Sequence, residues 1–196
     1  MPSITEKVLK FDFPDGWDAS KFDDWSFYSG QFARVGDAEI LCKNCGGVAQ
    51  CGQCGTKRIA GTRGIDILAV DTGSVCWHIE IKDDRSTRQT NFMFLADMVA
   101  LKVRDTHACL VAARLDANDD SERDRAIRAL ACSHMRVVLH LEPPPSHRPL
   151  LSPKMQRANV LQRLKQLVKA VDPRPLVVSM HDLGDLAWSV TQVGTP

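Results

Sequence analysis

Two short runs place acidic and basic side chains where a metal ion and a phosphate could meet. Gly64-Ile65-Asp66 is followed, a hairpin's length later, by Glu80-Ile81-Lys82. Side chains of an extended strand alternate faces, so Glu80 and Lys82 point the same way, with His78 beside them. Ile79 and Ile81 then face a core. Charges set in so apolar a strand need partners or a metal. Two carboxylates offer a hard oxygen site suited to Mg²⁺ or Mn²⁺, which polarises a phosphate and activates a bound water. Lys82 would orient that water or neutralise charge developing on the phosphate. The same Glu-x-Lys pair also arises on a strand whose outer face is solvated, as a weak surface bridge. His78 is the kind of residue that more commonly serves as a satisfied strand histidine.

Asp66 joins the pair only in one register. Opposite Glu80 it leaves the three-residue loop Thr72-Gly73-Ser74 between Asp71 and Val75. A two-residue Thr72-Gly73 loop sends Glu80 to the other face. The site therefore requires an odd loop or a bulge, which Gly73 makes feasible by tolerating positive φ.

A second constellation is Cys42-Lys43-Asn44-Cys45-Gly46 and Cys51-Gly52-Gln53-Cys54-Gly55. Two Cys-x-x-Cys-Gly turns can aim four thiolates at one ion, which suits structural Zn²⁺. An iron–sulfur cluster and a redox dithiol are the rivals. Cys76, Cys109 and Cys132 sit among apolar neighbours and read as core.

The elements that position these residues follow from periodicity. Phe22, Trp25, Ser29 and Phe32 recur at helical spacing, predicting a helix over 19–34. Strands are expected at 35–41 and 56–60 around the cysteines, then at 64–70 and 75–82 as a hairpin. A helix over 90–104, with Phe94, Met98 and Leu101 as its apolar stripe, precedes a buried strand at 108–113. A helix at 118–132 with an acidic first turn, a strand at 135–141 and a proline-rich loop at 142–153 come next. A helix over 154–171 packs Val160, Leu164, Leu167 and Val171 inward. A strand at 176–180 and a short helix at 183–190 close the chain. Antiparallel strands come first and βαβ alternation afterwards, so the fold class is α/β with a central mixed sheet flanked by helices. The chain reads as a single domain over 1–196, with the zinc knuckle, 42–55, inserted in it. The aromatic residues crowded into the first 32 positions read as core before they read as a base-stacking platform.

The order of Gly64-Ile65-Asp66, a hairpin, Glu80-Ile81-Lys82, a helix and a strand resembles the core of the PD-(D/E)xK nuclease superfamily over about residues 20–115. The resemblance implies a restriction-endonuclease-like sheet and Mg²⁺-dependent hydrolysis of nucleic-acid phosphodiesters. It implies Asp66, Glu80 and the carbonyl of Ile81 as metal ligands and Lys82 as the catalytic lysine. Gln89 stands where some branches carry a glutamine. Ile65 replaces the proline of the name, and the first helix offers only Asp23 and Asp24 where a glutamate is expected.

Net charge is +1, so a nucleic-acid partner must be met by local patches. Lys57, Arg58 and Arg63 precede Asp66, and Arg85 and Arg88 follow Lys82, bracketing the candidate site. Phosphate-loop, dinucleotide-binding and nucleophile-elbow motifs are absent. The first residues carry no secretory pattern and no apolar run is long enough for a membrane span, so the expected location is the cytoplasm. Two functions follow: a nuclease, with DNA as first substrate, or a catalytically silent nuclease-like module that binds nucleic acid or a protein through its zinc-braced loop. Either is compatible with a homodimer or a larger complex.

Overall fold

The computed structural model describes residues 1–35, 61–85, 92–142 and 153–194. The expected knuckle, 42–55, the strands flanking it and the proline-rich loop at 142–153 lie outside these residues, save Val35, Glu142 and Pro153. The described chain is α/β and builds three layers. β1 (Ser3–Glu6) and β2 (Leu9–Asp12) form a hairpin, and β2 pairs on its other side with β8 (Ser189–Gln192). β3 (Asp18–Lys21), β4 (Ile67–Val70), β5 (Val75–Asp83), β6 (His134–Glu142) and β7 (Leu176–Val178) form a five-stranded sheet in that order. The first three pair antiparallel, and β6 and β7 add in parallel. The helices are α1 (Ser26–Gly30), α2 (Phe92–Asp116), α3 (Asp120–Ala131) and α4 (Pro153–Leu167). Among the described residues no helix is long and apolar enough to cross a membrane.

The period-two alternation of β5 divides the core. Cys76 packs with Leu68, Val137, Leu139 and Leu141 under α2, α3 and α4. Ile79 and Ile81 pack with Ile67, Ala69 and Val138 against Phe11 and Val190 of the small sheet. Helices thus flank one face of the mixed sheet, as expected, and a second sheet covers the other. The small sheet was encoded by the alternation of Leu9, Phe11 and Phe13, all fully buried.

Several expectations are corrected. The helix expected over 19–34 is β3, a turn, the five-residue α1 and a 3₁₀ turn at Phe32–Arg34. Trp25 provides no side-chain cap for α1; Glu122 of α3 does so, its oxygens accepting from Ser26 N at 2.6 Å and Phe27 N at 3.0 Å. The strand expected at 108–113 is the second half of α2, because alanines continue the helix and no turn residue interrupts it. The apolar stripe of α2 is also rotated. Leu95, Val99, Val103 and Leu110 are buried, whereas Phe94 and Leu101 are exposed. Finally, 183–190 forms no helix, and its end enters β8.

α4 buries Val160 and Leu164, and Val168 just past its end joins them; Leu167, expected inward, is 37% exposed. The step of four from 160 to 164 to 168 keeps one face inward. Most N-terminal aromatics are core, with Phe11, Phe13, Phe22, Trp25 and Phe27 buried.

Candidate functional site

The β4–β5 hairpin adopts the odd register. Ile67 pairs with Ile79 and Val70 with Cys76, so Asp66, one residue before β4, stands opposite Glu80. The loop is Thr72-Gly73-Ser74, closed by Asp71 N donating to Val75 O at 3.1 Å. Asp71 Oδ1 accepts from Gly73 N and Val75 N, both at 2.8 Å. The left-handed position falls on Ser74 (φ 66°) instead of Gly73. A turn followed by one left-handed residue is a regular three-residue hairpin connection.

Asp66 and Glu80 lie on the face beneath α2, and both converge on one cationic atom. Lys102 Nζ of α2 is 2.7 and 2.8 Å from the two Glu80 oxygens and 3.3 Å from Asp66 Oδ1. Asp66 Oδ2 accepts from Ile81 N at 2.6 Å, which fixes the carboxylate against β5. Burial, and after it the charge of Asp66, pushes the Glu80 carboxyl up to about 8, with Lys102 pulling the other way. For Lys102 burial works against the charge, but Glu80 and then Asp66 outweigh it and raise its affinity for a proton.

The lead-in to Asp66 is clamped by its neighbours. Asp105 Oδ2 accepts from Arg63 N and Thr106 Oγ1 from Ile65 N, each at 3.0 Å. Tyr28 Oη accepts from Gly64 N at 2.5 Å. A Cβ at Gly64 would stand 2.7 Å from the Phe22 ring and 3.1 Å from that of Tyr28, so only glycine fits there. One helix, α2, thus supplies both the cation between the carboxylates and two of the three acceptors that hold the approaching backbone, Tyr28 of α1 being the third.

The other expected residues are placed as follows. Lys82 follows Glu80 on the same face, and its ammonium is 3.8 Å from Asp84 Oδ1, with the side chain 40% exposed. His78 is fully buried with Nδ1 3.9 Å from Cys76 Sγ. Desolvation and the nearby His107 lower its pKa to about 4, so it is a neutral core residue. Arg63 is exposed beside the site. Arg85 is held by Asp83, at 2.8 and 2.7 Å, and by Gln192 at 2.6 Å; its charge is already matched, and it faces the small sheet's edge strand. Asp23 lies within the field of Asp66: partial burial, then that charge, raise its carboxyl. Asp24 pairs with Lys21 at 3.7 Å. Gln89, Arg88, Lys57, Arg58 and the cysteines Cys42, Cys45, Cys51 and Cys54 lie outside the described residues.

Sequence reasoning missed Lys102, Asp105, Thr106 and Tyr28. A signal for Lys102 existed, because it sits three residues after Val99 and four before Thr106, on the buried stripe of α2. A lysine there demands carboxylate partners.

The donor set fits a small divalent cation. The two carboxylates, one of them nearly buried, share a single positive charge. Mg²⁺ is commonly held by one or two carboxylates, with waters and substrate phosphate completing the shell. No group of three His, Cys, Asp or Glu side chains suited to a metal occurs among the described residues; the acidic groups brought together here are Asp66 and Glu80.

No family model matches the chain, and no solved structure matches it. A similar curated protein is a cysteine–tRNA ligase from Neisseria meningitidis serogroup A / serotype 4A (strain DSM 15465 / Z2491), 30% identical over 174 residues. The similarity takes in 83% of this chain and 24% of that protein, so the chain spans about a quarter of the relative's length.

Proposed function

We propose that this chain is a divalent-cation-dependent nuclease of PD-(D/E)xK type. The observation that supports it most is the convergence of Asp66 and Glu80, from adjacent antiparallel strands, on one cationic atom. In this reading Asp66, Glu80 and the carbonyl of Ile81 hold Mg²⁺ or Mn²⁺, whose chemistry is to polarise the phosphodiester and activate a water. Lys82, on the face of Glu80 and partly exposed, neutralises charge on the attacked phosphate. Arg63 lies beside Asp66 in solvent, where a backbone phosphate would pass. The mixed sheet, with antiparallel β3, β4 and β5 and a helical crossover to parallel β6, is consistent with the α/β fold that reading expects. The four-cysteine knuckle would hold Zn²⁺, and Lys57, Arg58, Arg88 and Gln89 flank the site in sequence.

DNA is the first substrate to test. A relative named for its action on tRNA makes structured RNA the second. Purified protein is incubated with plasmid, single-stranded DNA and a tRNA, with Mg²⁺ or Mn²⁺. Cleavage is expected with the wild type. Asp66→Asn and Glu80→Gln should abolish it, and Lys82→Ala should lower it by about 10². Cleavage that survives Glu80→Gln, or no cleavage of any substrate by a protein that binds Mn²⁺, sinks the reading.

One observation favours the alternative, a silent module that binds nucleic acid or a protein through its zinc-braced loop. Lys102 already occupies the space between the two carboxylates, as the cation of a structural ion pair would. Nucleic-acid binding unaffected by Mn²⁺, with no product, is the result that reading expects.

A further inference from the structure

We propose that Lys102 is a resident counter-cation that competes with the divalent ion for the Asp66–Glu80 pair and sets how tightly that ion is held. The inference rests on the reading of Asp66 and Glu80 as cation ligands. Its basis is geometric. The ammonium reaches both oxygens of Glu80, at 2.7 and 2.8 Å, and one oxygen of Asp66, at 3.3 Å. Those are the oxygens a shared ion would need, because the remaining one, Asp66 Oδ2, is bound by Ile81 N. An ammonium and a divalent ion cannot occupy one small space, and their like charges repel. Lys102 must therefore withdraw before the pair can take the ion.

Its surroundings allow both states. The anchor is rigid: α2 is a long helix, with Val99, Val103 and Thr106 buried on either side of Lys102. The tether is not, since lysine carries its charge on four methylenes with several rotamers. The side chain is 21% exposed, so a path to solvent exists beside the site. Lys82 does not duplicate this role, because its ammonium lies 3.8 Å from Asp84. Without an ion Lys102 keeps two carboxylates from repelling each other; with an ion it is the group displaced.

The competition gives the lysine two opposite effects, which separates it from a merely structural ion pair. Lys102→Met and Lys102→Gln are made in the full chain, alongside Lys102→Met/Glu80→Gln. Mn²⁺ binding is measured by calorimetry, and Tm is measured in chelator. Removing the competitor should tighten Mn²⁺ binding by about tenfold or more, within the range typical of coupling between ligands. The same variants should lose about 5–10 °C in Tm without metal, because the buried Glu80 carboxyl loses its hydrogen-bonding partner. The double variant, with the carboxylate neutralised too, should regain most of that loss while failing to bind Mn²⁺. If either single variant folds and binds Mn²⁺ no tighter than the wild type, or if neither the wild type nor a folded variant binds it, the proposal is overturned. Should both single variants fail to fold in chelator, the unfolding is repeated with Mn²⁺: recovery of a cooperative transition when the ion is added supports the proposal, because the ion then takes the ammonium's place, and failure refutes it. These readouts involve no cleavage, so a protein that binds Mn²⁺ as expected but cuts nothing would sink the nuclease reading and leave this one standing.

Discussion

Thr106 offers a clean test of how the site is held. Its hydroxyl is the acceptor for Ile65 N at 3.0 Å, and both residues are fully buried. Valine has the shape of threonine without the hydroxyl, so Thr106→Val opens no cavity and removes one acceptor. Leaving a buried amide unpaired costs about 1–3 kcal/mol, of which the added apolar surface offsets a small part. A net loss of about 2 kcal/mol corresponds to a fall in Tm of about 4–8 °C for a chain of this length. Urea unfolding followed by far-ultraviolet circular dichroism should show a lower midpoint with an unchanged slope, the signature of lost stability without altered compactness. Asp66 is the next residue, so a loosened Ile65 should also weaken Mn²⁺ binding in the variant. Thr106→Ser keeps the acceptor and should retain Mn²⁺ affinity. The reasoning is refuted if Thr106→Val matches the wild type within about 0.5 kcal/mol, the scatter of ordinary surface changes.

Three further outcomes are expected. Ser74→Gly should stabilise the protein by about 1 kcal/mol, because glycine adopts the left-handed conformation of that residue without strain; an unchanged or lower urea midpoint contradicts it. His78, with its pKa lowered to about 4 from an ordinary 6.5, binds its proton in the unfolded chain first. Its contribution to stability is therefore whole above pH 6.5 and lost as pH falls toward 4, by about 3 kcal/mol in all. Glu80, raised from 4.5 to about 8, acts in the opposite sense: its contribution is whole below pH 4.5 and declines as pH climbs through 8. Midpoints measured in chelator should thus fall between pH 6.5 and 8 in the wild type and stay level there in Glu80→Gln, whereas equal slopes would exclude a raised Glu80. Elemental analysis should find about one zinc per chain, held by Cys42, Cys45, Cys51 and Cys54; iron with a visible absorption band would speak for a cluster instead.

The carboxylate pair was legible because strand alternation and hairpin closure are local and periodic. Asp66, Glu80 and a loop between Asp71 and Val75 suffice to state the register as a condition, and the structure meets it. Lys102 was not legible in the same way. Its partners are 36 and 22 residues away, and only the packing of α2 over the sheet brings them together. Residues 108–113 failed for a different reason: an apolar run of that length suits a buried strand and a buried helix equally, and the helix before it decided the outcome. At the N-terminus the aromatic spacing of Phe22, Trp25 and Phe32 imitated a helical stripe. In the fold Phe22 follows β3 and packs at a tilt against Trp25 and Tyr28 around Gly64. Tertiary contact overrode local period there.

The pairing of β2 with β8 bears on the order of folding. Leu9 meets Gln192 and Asp12 meets Ser189 across nearly the whole length of the chain. Contacts so far apart in sequence close a very large loop and form slowly compared with a local hairpin. The β1–β2 hairpin can form early, but it has no third strand until Ser189–Gln192 arrive. Until then Phe11, Phe13 and the face of the mixed sheet built by Ile67, Ile79 and Val138 lack their cover of Trp188 and Val190. The helical side of the molecule can consolidate first, and the sheet-on-sheet side is the last to lock.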